Sequence, residues 1–399
     1  MKITSTAVLT TLAFITALIW MYLLLGRAWF WNTRRMLLPH AAATGPCRVA
    51  VVIPARNEAD VIAQSVGSLL HQTGAENLHV FVVDDHSTDT TAEVARQTAQ
   101  NLGRSDQLTV IESQPLPGGW VGKVWAMHQG IQHALELEPE FLLLTDADIV
   151  HAPDSIAALL AKAGEGFALT SVMVLLECGS LAEKLLIPAF VFFFLKLYPP
   201  AWIADPRSKV AGAAGGCMLV RPGALLHAGG MAAIRNDIID DCSLARCIKQ
   251  SGGRVHLSLS QSTRSIRPYV TFGEIGRMIA RSAFRQLNHS ALMLAGALVA
   301  LTMTYLAPPV LLPVGLICGA PLVAMLALAA WAMMSLTYLP MVRLYGINVG
   351  WALALPAAAA FYMGATLISA INFWTGRGGR WKGRSQDAAH PLATQDSGK

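Results

Sequence analysis

The sequence predicts an α/β domain built on a mostly parallel, doubly wound sheet, with one membrane-spanning helix before it and about three after it. Three observations carry this. Between residues 48 and 258, short apolar runs alternate with stretches of helical apolar spacing, the pattern of successive βαβ units. Outside that block, Ala7–Leu25, Ala291–Val342 and Leu344–Gly376 contain no charged residue, and about 20 apolar residues suffice to cross a bilayer. Finally, two of the predicted strands end in acidic residues. Crossovers between parallel strands keep all such ends on one edge of the sheet, where ligands of these sheets collect.

Composition agrees with that division. The 399 residues are 54% hydrophobic and 14% charged, against about 25% charged for an ordinary soluble domain, and the mean hydropathy is +0.46. Lys2 could open a signal peptide, but no small-x-small cleavage site follows the apolar core Ala7–Leu25. Trp29, Trp31, Arg34 and Arg35 follow instead, an interfacial aromatic and basic flank. The reading is therefore an uncleaved anchor, with the charged block Arg27–His289 in the cytoplasm and the chain a multi-pass protein of the cell (inner) membrane. Expected boundaries are an anchor over 1–30, an α/β domain over 31–289, apolar helices over 290–376 and a basic, disordered tail over 377–399. The net charge of +5 comes partly from membrane-flanking Arg and Lys, which argues against nucleic acid as a partner. Six cysteines form no CxxC pair or zinc spacing and read as small core residues.

In chain order, Arg48–Pro54 predicts the first strand, and Glu58–Gln72 a helix with Val61, Ile62, Val66, Leu69 and Leu70 on one face. His79–Val83 is the second strand, followed by a helix from about Asp89 to Leu102. Leu108–Ile111 is a third strand, Pro115–Gly119 a loop and Lys123–Leu135 a helix. Phe141–Thr145 is a fourth, fully apolar strand, followed by a helix from about Asp154. Beyond it, Leu181–Tyr198 holds eleven successive apolar residues between Lys184 and Lys196, too few to span a bilayer. It reads either as a buried core helix or as one lying at the membrane surface. Gly212–Val220 is a Gly-rich turn running into a strand, Ile239–Gln250 a helix and Arg254–Ser258 a last strand.

The chemistry-bearing residues cluster at strand ends. Asp146 and Asp148, just after the fourth strand, can share one divalent cation, Mg²⁺ or Mn²⁺, which in turn neutralises a diphosphate; the plain alternative is a loop that caps the next helix. Asp84 and Asp85 end the second strand, where a carboxylate can accept a hydrogen bond from uracil N3–H or a ribose hydroxyl. Ser87 and Asp89 after them suit helix capping, which leaves the two adjacent acids unexplained. Lys123, after Gly118-Gly119-Trp120-Val121-Gly122, suits a diphosphate at a helix start or is a solvated surface lysine; the GxxxxGK[ST] spacing of a Walker A loop is absent. Asp240 and Asp241 form an acidic first helical turn, or supply a general base. Arg277, Arg281 and Arg285 recur every four residues, as a lipid-facing basic stripe or as cations for a leaving diphosphate.

The order VVIPARNE, VVDDHSTD, GGWVGKVWAMHQG, LLLTDAD, GAAGGCMLVRPGAL and IIDDCSLARCIKQSG resembles the large inverting family-2 glycosyltransferases, whose GT-A fold binds a nucleotide-sugar with a metal. The resemblance covers about Arg48–Gly253. It is strongest to the membrane-tethered ceramide-glucosyltransferase-like group and, in the WVGK stretch and membrane layout, to the bacterial hopene-associated glycosyltransferases. It implies that Asp84 or Asp85 contacts the nucleotide, that Asp146 and Asp148 are the metal and donor-phosphate pair, and that Asp241 is the catalytic base. It further implies a nucleotide-sugar donor, a UDP-sugar, and a lipid acceptor, in hopanoid or glycolipid biosynthesis. The chain departs from the pattern at Gln286, where relatives carry Trp in a Q/R-x-x-R-W signature that would include Arg285.

Two rival classes differ at readable positions. A nucleotidyltransferase is expected to carry a Gly-rich, Arg/Lys-bearing loop after its first strand, and here that position reads PARNEADV. A non-catalytic membrane protein is expected to carry polar or charged residues inside its spans, or to have lost one of the acids. Topology is the open point. Three spans after a cytoplasmic domain, with a break near Cys318–Pro321, put the tail outside, whereas Arg377, Arg380, Lys382 and Arg384 predict a cytoplasmic tail.

Overall fold

The structure, a computed structural model, describes residues 2–40, 47–75, 77–376, 380–381 and 384–385. Most of the basic tail, Arg377 and Lys382 included, lies outside the described residues. The chain divides into two compact units, one holding Leu37–Leu176 and Ile203–Arg267, the other Met1–Met36, Glu177–Trp202 and Pro268–Gly376.

The first unit is built on one eight-stranded sheet. Its strands are β1 (Arg48–Ala55), β2 (Asn77–Asp84), β3 (Leu108–Glu112), β4 (Phe141–Thr145), β5 (Ile149–His151), β6 (Leu169–Leu175), β7 (Cys217–Val220) and β8 (Val255–Ser265). The spatial order is β3-β2-β1-β4-β7-β6-β8-β5. β1 pairs in parallel with both β2 and β4, β2 with β3, and β6 with β8. β7 runs antiparallel to β4 and β6, and β5 antiparallel to β8. This is the mostly parallel, Rossmann-like sheet expected of the GT-A class.

β1 and β4 sit centrally and read accordingly. Every residue of β4 is buried, as is every residue of β1 but Arg48, because helices cover both faces of such a sheet. Helices Ile62–Leu70, Thr91–Asn101, Gly122–Leu135 and Ser155–Ala163 fall where the apolar spacing predicts them. Helix Gly122–Leu135 lies very close to the sheet at Gly130. A Cβ there would come within 2.5 Å of Val52 Cγ1 and 2.7 Å of Val83 Cγ2. The glycine lets this helix, and Lys123 in its first turn, sit directly over β1 and β2.

The second unit gathers four helices long and apolar enough to cross a membrane: Thr6–Leu25, Ala291–Ile317, Pro321–Leu344 and Val349–Trp374. The break between the second and third falls at Cys318–Ala320, as the sequence predicts. Leu181–Leu197 is a single helix in this same unit, with much of its length buried, in agreement with the core-helix reading. Phe192 packs against Phe30 and Tyr338, and Phe193 against Tyr305 and Tyr362. Its start is fixed by a capping box in which Ser180 and Glu183 satisfy each other's backbone N–H groups.

Candidate functional site

Several segments distant in sequence meet at the C-terminal edge of β1, β2 and β4. β1 lies between β2 and β4, with Ala55 opposite Asp84 and Val52 opposite Leu144. Two strand spacings of about 4.8 Å therefore put the acidic ends of β2 and β4 about 10 Å apart on one rim.

On the β2 side, two loops interlock. Asn57 N–H donates to Ser87 Oγ at 3.0 Å, and Thr88 N–H to Asn57 Oδ1 at 2.8 Å. Asn57 and His86 both take left-handed backbone conformations, with φ of 52° and 53°, a conformation that costs non-glycine residues energy and gathers at ligand sites. Asp84 accepts from Ser87 N–H at 3.0 Å. Asp85 is 1% exposed and its Oδ2 lies 3.5 Å from Arg56. Ser87 thus braces the loop after β1 rather than capping the next helix, which starts without a side-chain cap.

On the β4 side, Asp146 Oδ1 lies 2.8 Å from Lys123 Nζ, which also sits 3.3 Å from Asp240 Oδ2. Asp241 accepts from the Gly215 N–H at 2.9 Å and from its neighbour Cys242 N–H at 2.6 Å, so its carboxylate plane is held by two backbone donors. Helix Asp240–Gln250 supplies both acids in its first turn. The Gly-rich turn before β7 brings Gly215 against them, because β7 returns antiparallel beside β4. Lys123, Asp146, Asp240 and Asp241, widely separated in sequence, form one charge cluster.

The electrostatics follow from burial and from the excess of acids. Burial and the Asp240 charge push the Asp241 carboxyl up to about 6, against its two backbone donors and Lys123. Burial also raises the Asp146 carboxyl, although Lys123 opposes it, while Lys123 itself is held far above its ordinary value. The two partners shift in the same direction because burial, helped by the Asp148 and Asp240 charges, outweighs Lys123 at Asp146, whereas the charges that Lys123 faces are all acids. Asp148 turns to a different partner. Arg267, just past β8, donates its Nε to Asp148 Oδ2 at 3.2 Å, and its terminal nitrogen pairs with Glu58 Oε2. Ser265 Oγ adds a hydrogen bond to Asp148 at 3.4 Å.

Of the residues expected from the sequence, Asp84, Asp85, Lys123, Asp146, Asp148 and Asp241 thus belong to one unit and one rim. Arg281 and Arg285 belong to the other unit, at the end of helix Phe272–Ala280 and in the turn Ala283–Gln286. Gln286, at the position of the missing Trp, hydrogen-bonds the Tyr198 hydroxyl. The sequence reading did not find Arg56, Glu58, Gly215 or Arg267. Only RNE after β1 carried a visible signal, a run of polar residues closing an apolar strand.

The profile of the family described as "Glycosyl transferase family 2" matches residues 50–225. The succinoglycan biosynthesis protein ExoU of Rhizobium meliloti (strain 1021) is 32% identical over 126 residues, covering 31% of this chain and 33% of that protein. The 4,4'-diaponeurosporenoate glycosyltransferase of Staphylococcus aureus (strain USA300) is 32% identical over 124 residues, covering 31% of this chain and 29% of its own length. The matches thus span about a third of the curated relatives' length. Among solved structures, a mannosyltransferase from Pyrobaculum calidifontis in complex with GDP-Man and Mn²⁺ aligns over 91% of this chain and 99% of its own. Its identity to this chain is 20% and its TM-score 0.47.

Proposed function

We propose that this chain is an inverting glycosyltransferase of the family-2 type. In this reading it moves a sugar from a UDP-sugar to a hydroxyl of a membrane lipid, in hopanoid or glycolipid biosynthesis, with the α/β unit on the cytoplasmic side of the inner membrane. One observation carries the proposal furthest: a carboxylate held by two backbone donors, Asp241, shares a charge cluster with Lys123 and Asp146 on the rim that also bears Asp84 and Asp85.

Two of the acids could hold a divalent cation beside a diphosphate, although among the described residues no three His, Cys, Asp or Glu side chains gather into a ligand group. Asp146 and Asp148 offer hard oxygen ligands of the kind that Mg²⁺ and Mn²⁺ take beside substrate phosphates. Asp240 Oδ2, in the same cluster, is buried with only the Lys123 ammonium beside it, at 3.3 Å. Such an ion, when bound, supplies positive charge to the donor diphosphate. Lys123 adds a second cation to the same phosphates, and Asp84 and Asp85 hold the nucleoside. Arg281 and Arg285 are assigned to the leaving diphosphate on the sequence pattern alone.

Asp241 takes the proton of the acceptor hydroxyl. Each of its oxygens accepts one backbone N–H and keeps a second lone pair for that proton. The acceptor oxygen forms its bond to the anomeric carbon as the bond to the diphosphate breaks, and one displacement inverts the configuration. One base suffices, so no nucleophilic Ser or Cys is required. The lipid acceptor rests on the four apolar helices in the same chain and on the staphylococcal relative's name as a 4,4'-diaponeurosporenoate glycosyltransferase.

The test is incubation of the purified protein in lipid with a panel of UDP-sugars and Mn²⁺, reading UDP release. Release should need the metal and vanish with EDTA. Asp148→Ala and Asp241→Ala should each abolish it, and full turnover in both variants would sink the assignment.

A further inference from the structure

The apolar-helix unit contains a cation cluster that the sugar-transfer reading does not use. The second span, Ala291–Ile317, is interrupted by a π-helical turn at Thr302–Leu306, a feature found most often at functional positions. Its cause is local. The Thr304 carbonyl would accept from residue 308 in an α-helix or from residue 309 in a π-helix, and both are proline, with no N–H to give. The indole of Trp20, on the N-terminal span, donates to that carbonyl instead, at 2.6 Å.

This arrangement fixes Tyr305 inside the unit. Its ring is fully buried, edge-on to Trp20 and Phe193 with centroids 5.5 and 5.2 Å away. Its hydroxyl is buried and makes no hydrogen bond among the described residues. Above the ring stands Lys196, its ammonium 4.7 Å from the Tyr305 centroid and 5.7 Å from that of Phe193. Arg27 joins them, donating its Nε to the Lys196 carbonyl at 2.7 Å and lying over the Trp202 ring at 5.0 Å.

Part of this is ordinary architecture. Arg27 satisfies a carbonyl at the end of helix Leu181–Leu197, and ammonium–ring contacts are common. What helix capping leaves unexplained is the charge balance. Among the described residues no carboxylate pairs with Arg27 or Lys196, while burial and the Arg27 charge pull the Lys196 ammonium down to about 8. Lys196 over the Tyr305 ring, Arg27 close enough to act on that phenol, and a hydroxyl with no hydrogen bond among the described residues make a setting that suits an anion. In that setting the available anion is a lipid phosphate.

We infer that Lys196, Arg27 and the Tyr305 hydroxyl form a binding site for the phosphate of an anionic membrane lipid. This lipid is a bound companion of the helices and distinct from the sugar acceptor.

The test uses the full-length protein in detergent, titrated with short-chain phosphatidylglycerol, with phosphatidylcholine and with free glycerol phosphate, and read by native mass spectrometry and thermal shift. Phosphatidylglycerol should bind at least tenfold more tightly than phosphatidylcholine. Lys196→Met should cost about tenfold in that affinity, the scale of one lost charge-assisted hydrogen bond, while Lys184→Met, elsewhere on the same helix, should leave it unchanged. Tyr305→Phe separates ligand binding from folding. Removing an unbonded buried hydroxyl should hold or raise the lipid-free Tm, yet lower phosphatidylglycerol affinity several-fold. Equal binding of the two lipids overturns the site, as does wild-type affinity in both Lys196→Met and Tyr305→Phe. Equal losses at Lys184 and Lys196 reduce it to surface charge, and glycerol phosphate binding as tightly as phosphatidylglycerol makes the ligand a soluble anion; either result also overturns the proposal.

Discussion

Arg267 donates to Asp148 at 3.2 Å although the two stand 119 positions apart, and the same guanidinium pairs with Glu58 at the end of β1. One side chain thus ties the loop after β4, the loop after β1 and the end of β8 together. It also offsets one of the two carboxylates that we assign to the metal, so its positive charge opposes cation binding at Asp148 while favouring the donor diphosphate.

Arg267→Gln should therefore separate two effects. The Mn²⁺ concentration for half-maximal UDP release should fall, because Asp148 loses its built-in counter-charge, while KM for the donor rises. Stability should drop by about 1–3 kcal/mol, because Glu58, mostly buried, loses its cation. Metal titrations at fixed donor and donor titrations at fixed metal measure each arm. A variant whose metal dependence and donor KM both stay at wild-type values contradicts the assignment.

Gly130 gives a prediction about the scaffold rather than the chemistry. An added methyl would meet Val52 and Val83 at 2.5 and 2.7 Å, so helix Gly122–Leu135 must lift from the sheet. Gly130→Ala should destabilise by about 1–3 kcal/mol, the usual scale of overpacking. Because Lys123 rides on that helix, donor KM should rise as well. Denaturation midpoints and donor titrations on the same preparation test both halves.

Asp241 sets a pH dependence. A base must be ionised to take the acceptor proton, and its carboxyl titrates near 6, raised by burial and by Asp240. The kcat/KM profile should therefore fall with a slope of one as the pH drops through about 6, and level off above it. The same raised value has a cost in stability: the folded state holds this proton more tightly than the unfolded chain. The site therefore favours folding most below the unfolded value near ~4 and loses that contribution as the pH rises through about 6. Asp241→Asn should reduce kcat by at least about 100-fold. An acid limb in the wild type that stays near 4 would argue against Asp241 as the base.

How much of this was legible in the chain depended on range. β1, β2 and β4 could be read because each is a short apolar run closed by polar residues, and the acids stand directly at their ends. β6 and β5 were missed. β6 follows a helix after a Gly-containing turn and reads LTSVMVL, a run whose partners β7 and β8 lie far along the chain. Asp241 was readable as an acid at a helix start, but the Gly215 N–H that orients it comes from a turn 26 residues earlier. Arg267 carried no local signal at all, since its meaning lies in two partners distant in sequence. Leu181–Leu197 was read correctly as a helix, and of the two environments offered the buried one agrees with its buried residues. Length and composition cannot say that its aromatic face meets Tyr338 and Tyr362 of other apolar helices.

Lys123 supplies the last prediction, and it links the two halves of the site. Its ammonium lies between Asp146 and Asp240, and its charge acts on Asp241 in the direction that favours the ionised base. Lys123→Met keeps most of the apolar stem and removes only the cation. Asp146 and Asp241 would then lose its opposing charge, so both carboxyls should titrate higher. The acid limb of kcat/KM should move above about 6, and donor KM should rise by about tenfold from the lost phosphate contact. Raising the pH should recover part of the kcat but none of the donor KM. That split distinguishes a lysine that tunes the base and holds the donor from one that only fills space, because a purely structural lysine would lower activity without moving the pH profile.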